Sequence, residues 1–335
     1  FKIKEMEERE DKLLACEERI KELEFELFES VRDRVAEKID EIKELAKRVA
    51  EIDVLSTFAE VSVLYNYTRP KINDGYEILI RDGRHPTVEL CTKFVPNDVT
   101  MDEKSRVLII TGPNMAGKST YLRMVALITI MSQIGCFVPA NYAVIGVVDR
   151  IFTRIGSVDD ITKGYSTFMV EMLEISRILR NATKRSLVLL DEVGKSTGTK
   201  EGLSLAWAIV EYLHKIRAKT LFATHYHELS ELENTLEGVK NYYFGIVDSN
   251  ELEFDRKIKR GAASESYGIK IAELAKIPKE ITKRANEILR GFSLNSNDAE
   301  IVKEIAKIDV NSLTPVQALV ELDKIVRKCR DILRG

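Results

Sequence analysis

Gly112, Gly117, Lys118 and Ser119 stand at the spacing of a phosphate-binding loop, within Gly112-Pro113-Asn114-Met115-Ala116-Gly117-Lys118-Ser119-Thr120. Glycines at those places let backbone N–H groups approach phosphate oxygens closely. Lys118 supplies a positive charge to the β- and γ-phosphates, and Ser119 is placed to ligate Mg²⁺. The apolar run Val107-Leu108-Ile109-Ile110 precedes the loop and a helical pattern begins near Tyr121. That order of strand, loop and helix adds the positive end of a helix dipole to the site. The chemistry implied is binding of a nucleoside triphosphate. A chance glycine-rich turn is the poorer reading, because the full pattern and both flanks are present.

Two further segments fit the same chemistry. Ser186-Leu187-Val188-Leu189-Leu190-Asp191-Glu192 is an apolar strand ending in two acids. Asp191 would hold Mg²⁺ directly or through water, and Glu192 would polarise the attacking water as general base. Thr220-Leu221-Phe222-Ala223-Thr224-His225 delivers a histidine to the C-terminal end of another apolar strand. Ligands bind at that edge in doubly wound sheets. His225 would sense the γ-phosphate or orient the water, and a structural role stands beside this one. His227 reads as structural or exposed, and His85, at the turn Gly83-Arg84-His85-Pro86, is assigned no chemistry.

The elements that must position these residues alternate. Strand-prone runs cover 76–80, 106–111, 143–148, 151–155, 186–190, 220–223 and 242–247, with helical patterns at 121–134, 167–181 and 203–216. Alternation of this kind predicts an α/β domain with a largely parallel sheet. Upstream, Ile3 to Leu55 contains neither Gly nor Pro, and apolar residues recur at steps of three and four from Ile20 to Ile52. That stripe predicts one or two long helices, packed against their own domain or forming a coiled coil or lever arm. Downstream, 293–297 reads as a linker and 299–308 and 315–333 as two short helices, with Thr314 capping the second and Pro315 starting it. Such a tail buries little surface alone and is expected to dock, for example on a dimer partner.

The chain has 335 residues, 44% apolar and 31% charged, with a formal net charge of -3. A core of ordinary size in two or three units is expected, and a strongly basic nucleic-acid-binding domain is not. Cys16, Cys91, Cys136 and Cys329 show no CxxC pair. Reduced thiols are expected rather than a zinc site or disulfide framework. No apolar run is long enough to span a bilayer, and the charged start, Phe1 to Asp11, has no signal-peptide pattern. A cytoplasmic protein, nucleoid-associated in a prokaryote, is the expectation. The first residue is not Met, as in a fragment of a longer protein.

Taken together, TGPNMAGKSTYLR, DRIFTRIGS, STFMVEM, LVLLDE, GLSLAWAIVEYL, LFATHYHEL and GAASESYGIKIAELA resemble, in order, the ATPase domain of the MutS family of DNA mismatch-repair proteins across roughly residues 83–290. Residues 8–35 resemble that family's lever, and LTPVQALVELDKI resembles its C-terminal dimerisation region. The resemblance implies residues 1–66 as a helical lever segment, 67–290 as an ABC-like P-loop ATPase domain, and 291–335 as a helical dimerisation region. It implies ATP or ADP with Mg²⁺, and a homodimer whose composite sites draw on both subunits. In the full-length protein it implies mismatched double-stranded DNA and a downstream protein of the MutL type as partners. Ser166 matches the serine that reaches the partner's nucleotide from a helix N-terminus. Phe94, in Phe94-Val95-Pro96-Asn97-Asp98-Val99, matches the aromatic that packs on adenine, and His225 the histidine beside the γ-phosphate. Asn114 would contact the γ-phosphate or bound water.

Departures from the family pattern are specific. Where the family reads close to DEIGRGTSTYDG, this chain has Asp191-Glu192-Val193-Gly194-Lys195-Ser196-Thr197-Gly198-Thr199-Lys200-Glu201-Gly202. Lys195 replaces a planar multidentate arginine, and Ser196 and Gly198 exchange a Gly and a Ser. Ala116 stands for a frequent Gly. Nothing here matches the family's mismatch-recognition domain with its base-stacking wedge, its connector or its clamp, so this chain alone is not expected to recognise mismatches. The expected function is ATP binding and hydrolysis in a mismatch-repair protein. A paralogue acting in recombination, a nucleotide-binding dimerisation module with little turnover, and an SMC-like or transporter-type ATPase are the alternatives. The last lacks its LSGGQ-type signature here.

Overall fold

The computed structural model describes residues 4–113, 115–156, 166–247, 253–262, 268–289, 305, 308 and 314–334. Asn114, the 293–297 linker, the 290/291 boundary and nearly all of 299–308 lie outside them.

The strands built on apolar runs form the centre. A six-stranded sheet contains β4 (Val107–Thr111), β6 (Ile151–Arg154), β7 (Leu187–Asp191), β8 (Lys219–Ala223), β9 (Val239–Val247) and β10 (Glu253–Arg260), in the order β10-β9-β4-β8-β7-β6. All neighbouring pairs run parallel except β10 with β9. Burial on both faces explains the unbroken apolar runs. On β4, Leu108 and Ile110 face one core while Val107 and Ile109 face the other.

The first core is completed by α4 (Lys118–Gln133), through Leu122, Val125 and Ile128. The second is completed by α5 (Thr167–Asn181) and α6 (Thr199–Lys215), through Ile175, Ile178, Val210 and Leu213. The fold is therefore mixed α/β, with the central sheet sandwiched between helices.

One expectation needs correction. The runs at 76–80 and 143–148 do not join the parallel sheet. They become β2 (Ile78–Gly83) and β5 (Tyr142–Gly146) of a separate four-stranded sheet, with β1 (Lys71–Asn73) and β3 (Asn97–Met101), in the order β1-β5-β2-β3. Only β1 and β5 pair in parallel there. β3 alternates buried and half-buried residues, the mark of a sheet packed on one face, and Val99 and Met101 turn inward onto α4.

Upstream, α1 (Lys4–Ala36) and α2 (Ile39–Leu64) are the two long helices. α1 buries no residue, and Ile20, Leu27, Val31 and Val35 are all exposed. Packing of this stripe against its own domain is therefore not observed. A four-residue helix α3 (Val88–Cys91), a short α7 (Leu232–Thr235), α8 (Gly268–Leu274), α9 (residues 279–289) and α10 (Pro315–Arg334) complete the helices named here. Thr314 and Gln317 cap α10 reciprocally: the Thr314 N–H donates to Gln317 Oε1 at 3.0 Å and the Gln317 N–H to Thr314 Oγ1 at 3.4 Å. Among the described residues no helix is long and apolar enough to cross a membrane.

Candidate functional site

The loop from β4 to α4 is held by a contact only glycine permits. Gly112 has φ +137°, and a Cβ there would lie 2.7 Å from the Phe244 carbonyl oxygen on β9. Gly117 caps α4, whose first turn contains no acid, so its positive end is left open to an anion. Met115, at φ +71°, is highly exposed beside the fully buried Ala116. Strained residues of this kind gather where a loop must present itself to a ligand.

Lys118 is buried, and its Nζ curls back to the carbonyls of Gly112 at 2.6 Å and Pro113 at 3.1 Å. Burial lowers its pKa, against the raising influence of Glu192 and Asp191. Ser119 donates to Asp191 Oδ2 at 2.5 Å, which joins the start of α4 to the end of β7. Burial raises the Asp191 pKa, with Glu192 adding to it and the Ser119 hydrogen bond opposing it. Asp191 Oδ1 is buried with no hydrogen-bond partner among the described residues. Buried carboxylate oxygens are rarely left so, and a hard cation at this place would satisfy it. Among the described residues no three acids, histidines or cysteines could together hold a metal. The arrangement fits Mg²⁺, which takes one or two protein oxygens and the rest from phosphates and water.

Glu192 follows β7 at φ +53°. Burial acts to raise its pKa, but the Lys195 hydrogen bond and the charges of Lys195, Lys118 and His225 outweigh it, and the net shift is downward. Lys195 Nζ lies 2.7 Å from Glu192 Oε2. His225, just beyond β8, is exposed, with its ring 4.2 Å from that of Tyr226. Partial burial lowers its pKa, Glu192 raises it, and Lys195 and Lys118 lower it further. His225 therefore shares the electrostatic field of the two candidate catalytic groups. His85, by contrast, accepts from the Thr87 and Val88 N–H groups through Nδ1, a structural use.

Three cavities meet around these residues. One of about 320 Å³ is lined by Pro113, Met115, Gly117 to Thr120, Asp191 and Glu192. A second, about 240 Å³, shares Met115, Gly117 and Thr120 and is walled by Phe94, Tyr121 and Phe244. Phe94 is thus next to the loop, where an aromatic face could receive a base. A third, about 300 Å³, is lined by Arg154, Thr167, Glu171, Asp191, Glu192 and Lys195. Ser166 is exposed, and its side chain accepts the Met169 N–H at 3.2 Å, capping α5.

Sequence reasoning missed Glu171, Tyr226 and Phe244. Glu171 stood in the Ser166-to-Met172 motif, and a charged residue on the apolar face of a helix was the available signal.

A mixed α/β domain with a glycine loop opening a helix after β4, and acids at the end of β7 one strand further across the sheet, is the class these features define. A family model described as MutS domain V matches residues 108–293. The DNA mismatch repair protein MutS of Caldicellulosiruptor bescii is 47% identical, over 96% of this chain and 41% of its own length. The protein of the same name from Ruminiclostridium cellulolyticum is 48% identical, over 97% and 41%. That from Alkaliphilus metalliredigens is 52% identical, over 90% and 35%. The chain belongs to the MutS family and corresponds to the C-terminal portion of those proteins.

Proposed function

We propose that this chain is the ATP-binding and hydrolysing portion of a MutS-type mismatch-repair protein. The observation that carries the reading is the convergence of the Gly112–Thr120 loop, the Ser119–Asp191 pair and Glu192 on one cavity continuous with an aromatic-walled one. The loop acts as a P-loop, and the sheet around it as an ABC-like NTPase core. Adenine packs on Phe94. Lys118 exchanges the carbonyls of Gly112 and Pro113 for the β- and γ-phosphates. Ser119 and Asp191 would hold Mg²⁺, whose charge would spread that of the phosphate oxygens.

Glu192, with its pKa held low, is anionic at neutral pH and can accept a proton from the attacking water once Lys195 releases it. His225 senses the γ-phosphate or orients that water. Asn114, outside the described residues, would contact phosphate or water.

Residues 1–66 act as a lever, 67–290 as the ATPase domain and 291–335 as dimerisation helices. The exposed apolar residues Val316, Leu319 and Val320 of α10 support docking of that tail on a second copy. In the homodimer Ser166 completes the partner's site, and nucleotide state moves α1 and α2. In the whole protein these movements act on mismatched DNA and on a protein of the MutL type. The relatives' names favour repair over recombination. A second reading, a dimerisation module with little turnover, is favoured by the Lys195 ammonium occupying Glu192. Mg²⁺-dependent ATPase activity measured against protein concentration tests these readings. A rate per subunit that rises with concentration supports the composite enzyme, and a flat, near-zero rate supports the module.

A further inference from the structure

Glu171 lies on α5, only 2% exposed. Its Oε1 accepts the Gly194 N–H at 2.9 Å, and its Oε2 is buried without a hydrogen-bond partner among the described residues. Gly194 closes the turn that begins at Glu192, where φ is +53° at Glu192 and +84° at Gly194. The other side of the same residue is held by Tyr226, whose hydroxyl donates to the Gly194 carbonyl at 3.0 Å. Both polar backbone groups of Gly194 are therefore gripped by side chains, one from α5 and one from the segment after β8. A carboxylate buried at this cost, with only one oxygen used, is not explained by packing.

We propose that Glu171 is a positioning residue for hydrolysis. It fixes the Glu192–Gly194 turn to α5, so that the Glu192 carboxylate is presented to the water at one angle. The same helix is capped by Ser166, so this bond ties the turn to the helix that carries Ser166 at its N-terminus. This inference rests on the ATPase reading above. Misplacement of a base by a fraction of an ångström lowers the rate without weakening nucleotide binding.

The test uses the full-length protein carrying this sequence, with ATP affinity, steady-state turnover and thermal unfolding measured for Glu171→Ala, Glu171→Gln, Tyr226→Phe and Glu192→Gln. Loss of the hydrogen bond that holds Gly194 lowers kcat in Glu171→Ala by at least about ten-fold, with the ATP Kd within about two-fold of wild type. Glu171→Gln keeps a carbonyl acceptor for the Gly194 N–H and restores most of the rate. Tyr226→Phe gives a smaller loss of kcat, again with Kd unchanged, and carries the test if Glu171→Ala does not fold. Wild-type kcat in both Glu171→Ala and Tyr226→Phe, or a fall in affinity as large as the fall in rate, overturns the proposal. If wild type does not bind ATP, or Glu192→Gln turns over normally, the ATPase reading fails and this one falls with it. A normal wild type and a dead Glu192→Gln beside a fully active Glu171→Ala defeats the positioning role alone.

Discussion

Replacing Gly202 with alanine should destabilise this protein, although the same change in most helices stabilises. Gly202 lies in the first turn of α6 and backs onto Gly194. A Cβ there would sit 2.3 Å from the Gly194 carbonyl oxygen and 2.3 Å from the Tyr226 hydroxyl. The Tyr226 ring tip could swing away, but the Gly194 carbonyl belongs to a turn held by Glu171 and cannot. Overpacking of about 1–3 kcal/mol, plus about 1 kcal/mol for the displaced Tyr226–Gly194 hydrogen bond, exceeds the gain of about 1 kcal/mol in helix propensity. The net expectation is a loss of about 2 kcal/mol. Urea unfolding followed by circular dichroism would read it as a lower midpoint at unchanged slope. In Tyr226→Phe the hydroxyl contact and its bond are already gone, so the double mutant should lose less than the sum of the two single changes. Gly202→Ala at or above wild-type stability would show that the Gly194–Gly202 contact does not constrain the turn.

Other expectations concern charge. Lys118→Met removes a buried ammonium, so the nucleotide-free protein should keep its unfolding midpoint. ATP affinity should fall by at least about 100-fold, because two charge-assisted bonds of about 1.5–3 kcal/mol each are lost; both are measurable by denaturation and by calorimetric titration. His225 has its pKa pushed below the ordinary 6.5, so it stays neutral through physiological pH. Its neutral form is favoured in the folded state, so its contribution to stability is present above the unfolded pKa and declines as pH falls through that value. Turnover should hold from pH 8 to about 6.5 and fall only below it, and an acid limb centred above that value, absent in His225→Asn, would contradict the assignment.

Much of the centre was legible because local and global signals agree there. Ser166 caps a 3.6-residue apolar period, and α5 spans Thr167–Asn181 as the pattern predicts. The apolar runs before Gly112, Asp191 and Thr224 are short and β-prone between helical patterns, and they form strands buried on both faces. The smaller sheet was not legible, since short alternating runs announce a strand and not the sheet it joins. β3 begins at Asn97 and Asp98, residues that ordinarily mark turns. Here Asn97 Nδ2 donates to the Val95 and Arg256 carbonyls, and Asp98 accepts the Asp82 N–H. The Glu171–Gly194 bond joins residues 23 apart, and no period connects them. Lys195 was visible as a departure from the family pattern, but its pairing with Glu192 required the turn at Gly194.

The central claim is an ATP site completed across two copies of this chain, and mixing two inactive variants tests it most directly. Ser166→Ala and Glu192→Gln should each abolish turnover as homodimers. Mixed in equal amounts and allowed to exchange, half the dimers carry one intact site of two, so about a quarter of wild-type ATPase activity should return. A mixture that stays inactive while exchange is demonstrated, or a Ser166→Ala homodimer that hydrolyses ATP at the wild-type rate, would contradict the account.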